Sequence, residues 1–122
     1  MKTITPLEAK QLLNTVDNIF LVDVRTSQEW SEDGVPIIQE ESRFLPLSIY
    51  LGPDRRFNQS FVSDFISICP DKNATVIFMC KSGYRSSKAL ELISNQGYGY
   101  CINMLGGFEE WRSSNLPHKQ KK

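Results

Sequence analysis

Cys80 stands where an apolar run, Ala74 to Cys80, gives way to a short polar loop and then at once to a helical pattern. The loop and its flanks read "CKSGYRS" (Cys80 to Ser86), with Gly83 in the middle and two cations, Lys81 and Arg85. Glycine lets a tight strand-to-helix turn adopt positive φ. Successive N–H groups can then point inward and form an anion-binding nest. The following helix adds its N-terminal dipole at the same spot. A thiol in that setting favours its thiolate: free cysteine titrates near ~8.5, and such surroundings lower it to roughly 3.5–7.5. The pattern describes a nucleophilic sulfur inside an anion cradle. The plainer reading is a strand-end thiol packed as a small hydrophobe. Glycine, arginine, strand end and immediate helix together favour the nucleophile.

The elements that must position this loop are legible on either side of it. "TPLEAKQLLNT" (Thr5 to Thr15) opens with a helix-capping signature, Thr5 at the N-cap, Pro6 at N1 and Glu8 at N3. A very short strand at Lys2 to Ile4 precedes it. "NIFLVDVR" (Asn18 to Arg25) is a β-branched apolar run of the kind found in buried parallel strands. "SQEWSEDG" predicts one or two helical turns, with Ser27 as cap and Gly34 as stop. Phe44 to Leu47 predicts a short strand, irregular at Pro46, and Gly52-Pro53-Asp54 a turn. Phe61, Val62, Phe65, Ile66 and Cys69 fall at helical spacing, with Pro70 as stop. Ala74 to Cys80 is a second buried strand. A helix from Ser86 to Tyr98 follows, with Gly97 placed at its C′ position. Tyr100 to Gly107 is a third strand and "FEEWRSS" a closing helix. Strands alternating with helices imply βα units and a mostly parallel sheet covered on both faces. Ligands of such sheets bind beyond the carboxyl ends of the strands, where Cys80 stands.

Bulk composition narrows the classes. The 122 residues amount to one domain, expected over residues 1–116, with a flexible basic tail over 117–122. Lysine plus arginine and aspartate plus glutamate both number 14, so no basic excess points to nucleic acid. No apolar stretch is long enough to span a membrane. The opening "MKTITPLEAK" lacks the apolar core of a secretory signal. Three cysteines make no disulfide framework. The expectation is a cytoplasmic protein with reduced thiols.

At this point the residues resemble a family. "CKSGYRS" is similar to the Cys-x-x-Gly-x-Arg-[Ser/Thr] active-site loop of rhodanese domains, the sulfurtransferases. "LVDVRTSQEW" (Leu21 to Trp30) resembles the family's Asp-Val-Arg-x-x-x-Glu-aromatic segment, and "NMLGGFEEW" (Asn103 to Trp111) its Leu-x-Gly-Gly-aromatic-x-x-Trp ending. The three motifs come in family order and span roughly Thr3 to Leu116. The resemblance implies a three-layer α/β/α fold around a central, mostly parallel five-stranded sheet. It also implies thiosulfate sulfurtransferase-type activity. Cys80 would carry the sulfur as a covalent persulfide, with no further cofactor and no metal. The loop N–H groups from Lys81 through Ser82, Gly83, Tyr84 and Arg85 to Ser86 would hold the persulfide. Arg85 and Lys81 would attract a small anionic donor. The acceptor would be cyanide or a thiol, protein thiols included, and the chain a monomer or homodimer. One segment departs from the pattern: where the family has Gly-His-Ile-Pro-Gly-Ala, this chain reads "DGVPIIQEESRFLPL".

Several residues carry two readings. Asp23 and Arg25 either brace the site or form a structural ion pair at a strand end, and the ion pair is favoured. Gly106 and Gly107 shape the pocket wall by resemblance, although a plain turn explains them as well. Trp30, Phe108 and Trp111 are expected to pack. Cys69 and Cys101 are expected to be inert core thiols rather than resolving partners of Cys80. His118, the lone histidine, is too isolated for a zinc site. Two other functions stay open. A cysteine-dependent phosphatase or arsenate reductase needs Cys-x5-Arg, and Cys80 to Arg85 is one residue shorter. A non-catalytic rhodanese-like binding or regulatory module would carry no unusually reactive thiol.

Overall fold

The computed structural model describes residues 2–39, 42–47 and 57–121. The turn expected at Gly52-Pro53-Asp54 lies outside them. Among the described residues, five strands form one sheet in the order β1-β6-β5-β2-β4. They are β1 (Lys2–Ile4), β2 (Ile19–Asp23), β4 (Arg43–Phe44), β5 (Thr75–Met79) and β6 (Cys101–Met104). Every pairing among them is parallel. The helices among the described residues connect or close them: α1 (Pro6–Thr15), α2 (Ser27–Asp33), α3 (Phe61–Ile68), α4 (Tyr84–Ser94) and α5 (Gly107–Ser113).

The central strands are mostly apolar because both faces are covered. Along β5, Val76 and Phe78 enter one core with Phe61 and Phe65 of α3 and Ala89, Leu90 and Ile93 of α4. Ile77 and Met79 enter the other, with Ala9 of α1 and Phe108 and Trp111 of α5. The period of two along one strand thus separates the two layers of helices. Trp111 and Trp30 pack as expected, and the Trp30 ring meets Phe44 edge-on at 5.0 Å. None of the helices described is long and apolar enough to cross a membrane.

Local chemistry sets the helix starts. Thr5 and Glu8 form the reciprocal capping box read from the sequence. The α2 cap is Thr26, one residue before Ser27, because Thr26 pairs with Glu29 in a second capping box. α4 begins at Tyr84, two residues earlier than the apolar periodicity suggests, with Gly83 as its left-handed N-cap at φ 113°. Its C-cap is Asn95, and Gly97 turns the chain beyond it at φ 92°.

The end of the chain departs from the flexible tail expected of it. His118–Lys119 forms β7, antiparallel to β3 (Val35–Pro36). The carbonyl of Pro117 accepts hydrogen bonds from the Trp111 indole at 2.8 Å and from the Ile37 N–H at 2.9 Å. A buried indole N–H needs an acceptor, and the tail supplies it. A basic composition concealed this, since the pairing is made by backbone groups.

Candidate active site

β2 and β5 are neighbours, but the chain leaves them in opposite directions, toward β4 on one side and β6 on the other. The crevice between those two exits is a topological switch point. Cys80 follows β5 directly, and Val24 donates its N–H to the Met79 carbonyl at 2.9 Å across the crevice floor.

Among the described contacts, the Cys80 Sγ has two polar neighbours. The Gly83 N–H donates to it at 3.0 Å, and the Ser86 hydroxyl lies at 3.3 Å. The positive φ of Gly83 turns the chain directly into α4, whose first turn carries Ser86 back beside the sulfur. Ser86 is fully buried and also reaches the Gly83 carbonyl at 3.1 Å and Asn103 Oδ1 at 2.5 Å. From the other side, the first turn of α5 grips the loop by its backbone. Phe108 N–H donates to the Cys80 carbonyl at 2.8 Å, and Glu109 N–H to the Lys81 carbonyl at 3.0 Å. Gly107 makes that approach possible. It has φ 59°, and a Cβ there would strike the Cys80 carbonyl oxygen and the Lys81 carbonyl at 2.7 Å. Gly106 and Gly107 are therefore set by contact with the loop and with α5 itself, beyond the needs of a plain turn.

Arg85 points into the protein. Only 9% exposed, it pairs with Glu29 through Nη1 at 2.6 Å and Nη2 at 2.7 Å. Burial pushes the Glu29 carboxyl up, but Arg85 and the Thr26 contacts outweigh it and hold the acid below its ordinary range. The Arg85 guanidinium is pushed up in turn by Glu29, against its burial, with a smaller contribution from Cys80.

Asp23 and Arg25 form the buried ion pair favoured from sequence. Arg25 Nε lies 3.0 Å and Nη2 2.7 Å from the Asp23 carboxylate. Nη2 also donates to the Gly34 carbonyl at 2.9 Å, and the guanidinium stacks 4.3 Å from the Phe108 ring. The pair thus ties the end of α2 to the start of α5, behind the loop.

The mouth of the crevice is a cleft of about 510 Å³ lined by Glu29, Glu32, Asp33, Lys81, Ser82, Tyr84 and Arg85. Lys81, Ser82 and Tyr84 are exposed on the loop, while Cys80 is 1% exposed and lies beneath it. Cys69 and Cys101 stand at the other end of the sheet. Cys101 is level with Val76, four residues before Cys80 and so roughly 13 Å along the strand. Burial pushes the Cys101 thiol up to about 11 and raises Cys69 as well. Neither is placed to resolve Cys80, since a disulfide needs Cα atoms within about 7 Å.

Two residues of the site were missed in the sequence reading, Glu29 and Asn103. Glu29 closes the α2 capping box with Thr26 and also reaches Arg85, a long-range contact that no local pattern announces. Asn103 is a polar residue between buried Ile102 and Met104, and a buried amide in an apolar strand is the signal that could have found it.

A family model described as a rhodanese-like domain matches residues 5–114. The chain belongs to this family. An uncharacterized protein of Rickettsia rickettsii is 40% identical over 124 residues, covering 96% of each chain. A protein of Allochromatium vinosum named sulfurtransferase is 32% identical, covering 88% of this chain and 84% of its own. The crystal structure of Rv0390 from M. tuberculosis is 29% identical with a TM-score of 0.83, covering 99% of this chain and 98% of that one. The central parallel five-stranded sheet is the one expected of a rhodanese-like α/β fold.

Proposed function

We propose that this rhodanese-like domain is a sulfurtransferase that carries a sulfane sulfur on Cys80 as a persulfide. The observation that carries the proposal is the grip on Sγ, with the Gly83 amide at 3.0 Å and the Ser86 hydroxyl at 3.3 Å, at the exit of β5. Backbone donors fixed around a sulfur stabilise the negative charge that a persulfide bears. The Cys80 thiolate attacks the outer sulfur of a thiosulfate-like donor. A new S–S bond forms, the donor's S–S bond breaks, and sulfite leaves with the electron pair. A thiophilic acceptor, cyanide in an assay or a small or protein thiol in the cytoplasm, then takes the outer sulfur and restores the thiolate. This cycle balances without a metal or a further cofactor. The loop amides from Lys81 to Ser86 are the groups proposed to face the outer sulfur, and Lys81 the cation nearest an arriving anion.

The sulfurtransferase name of the Allochromatium relative supports this reading. The Cys-x4-Arg spacing weighs against phosphatase or arsenate reductase chemistry, as does the commitment of both Arg85 terminal nitrogens to Glu29. One observation favours a second reading, a non-catalytic binding module: Cys80 is 1% exposed, so a donor reaches it only if the loop gives way.

Intact-protein mass spectrometry after incubation with thiosulfate decides between them. The expected result is a gain of one sulfur atom, removed by reductant and absent in Cys80→Ser. No gain from thiosulfate, mercaptopyruvate or a protein persulfide overturns the transferase reading and leaves the module.

A further inference from the structure

We infer that Asn103 is a positioning residue for the Cys80 sulfur, acting through Ser86 and Gly83 together. The inference deepens the sulfur-transfer reading and takes its functional meaning from it. Asn103 lies on β6 opposite Phe78 of β5 and is 7% exposed. Its Oδ1 accepts the Ser86 hydroxyl at 2.5 Å, and its Nδ2 donates to the Gly83 carbonyl at 3.3 Å. Ser86 and Gly83 are the two residues that touch Sγ among the described contacts. One side chain therefore holds both partners of the sulfur from behind. A buried amide is costly to leave unpaired, so its two contacts fix each other.

The Ser86 hydroxyl has a single proton and three neighbours: Asn103 Oδ1, the Gly83 carbonyl and Sγ. With the proton on Asn103, the nearest of the three, the oxygen lone pair faces Sγ and accepts the S–H of the thiol. A thiolate or a persulfide has no proton on that sulfur. The hydroxyl then rotates to donate to it, and Asn103 releases the proton it had been accepting. Asn103 is thus the resting acceptor of a two-position hydrogen bond whose other position is the reacting sulfur.

The test is site-resolved alkylation of Cys80 by iodoacetamide across pH, read by peptide mass spectrometry. The proteins are wild type, Ser86→Ala, Asn103→Leu, Asn103→Asp and the Ser86→Ala/Asn103→Leu double variant. Thiosulfate:cyanide kinetics are measured on the same set. Ser86→Ala and Asn103→Leu are each expected to change the alkylation rate about tenfold, with the same altered pH profile. The double variant is expected to go no further than the larger single change, because the two side chains act as one unit. Asn103→Asp keeps an acceptor for Ser86 but loses the donor to the Gly83 carbonyl and brings a carboxylate near the sulfur, so it should also depart from the wild-type alkylation profile. In turnover, Asn103→Leu should lower kcat and leave the KM for thiosulfate unchanged. Effects of Ser86 and Asn103 that multiply overturn the inference. So does a wild-type alkylation profile in Asn103→Leu accompanied only by a lower Tm. Asn103→Ala takes the place of Asn103→Leu if that variant does not fold. Wild-type protein that never accepts sulfur sinks the transferase reading, while the alkylation comparison still decides the role of Asn103.

Discussion

Glu29 and Arg85, 56 residues apart in the chain, meet through two hydrogen bonds of 2.6 and 2.7 Å across the crevice between β2 and β5. Glu29 also accepts from the Thr26 backbone at 3.0 Å, so one carboxylate caps α2 and anchors the start of α4. The loop that bears Cys80 is thereby tied to the half of the fold that does not contain it.

That pair has a pH signature. The Glu29 carboxyl sits below its ordinary value of 4.5 in the folded protein. A depressed acid contributes stability that is complete above its unfolded pKa and lost as pH falls through the folded value. Glu29→Gln should therefore cost about 2 kcal/mol at neutral pH and progressively less in acid. Urea midpoints at pH 7 and pH 3 measure the gap. A gap that stays constant would falsify the assignment of this stability to the ionised pair.

Gly107→Ala should be among the most damaging single changes. A Cβ collides with the Cys80 and Lys81 backbone, which cannot move aside as a side chain can, and φ is 59°. A loss of about 2–4 kcal/mol is expected, together with reduced sulfur transfer. Gly99→Ala is the control, because nothing lies within 4 Å of a Cβ there. Equal melting temperatures for the two variants would mean that α5 does not need its close approach to the loop.

The charges at the mouth should govern donor capture. Beyond the Glu29–Arg85 pair, the cleft carries Lys81 against Glu32 and Asp33. Combining Glu32→Gln with Asp33→Asn should lower the KM for thiosulfate about threefold at low salt, and Lys81→Ala should raise it by a similar factor. Both effects should shrink near 1 M salt, where the Debye length is about 3 Å. Initial rates at two ionic strengths check this, and insensitivity to all three charges would place the donor's path elsewhere.

Ending the chain after Leu116 should lower Tm by about 5–10 °C. The truncation removes the acceptor of the Trp111 indole and the Val35↔Lys119 and Pro36↔His118 pairings. Thermal unfolding followed by circular dichroism reads the change. An unaltered Tm would show that β7 rests on the domain without supporting it.

Much of this architecture was legible because apolar runs and capping residues act locally. β2 and β5 were visible as buried runs, and Thr5 with Glu8 announced α1. The Cys80 loop was legible for the same reason, since strand end, glycine and helix start are contiguous. Three features escaped because they depend on distant partners. The reach of Arg85 to Glu29 depends on the order of strands, and no local pattern encodes it. The Asn103 contact with Ser86 requires β6 to lie beside β5. β7 is too short to show any periodicity, and its backbone pairing leaves no trace in side-chain type. In each case, nearby composition suggested something simpler: an anion-facing arginine, an unremarked strand residue, a loose tail.

The α5 latch on the loop is made of main-chain amides meeting main-chain carbonyls, and the sulfur is met by an amide and an inward-facing hydroxyl. The outward side chains, Lys81, Ser82, Tyr84, Leu105 and Glu109, are all exposed and take no part in that geometry. Substitution of the rim side chains is therefore expected to leave the backbone geometry around the sulfur unchanged.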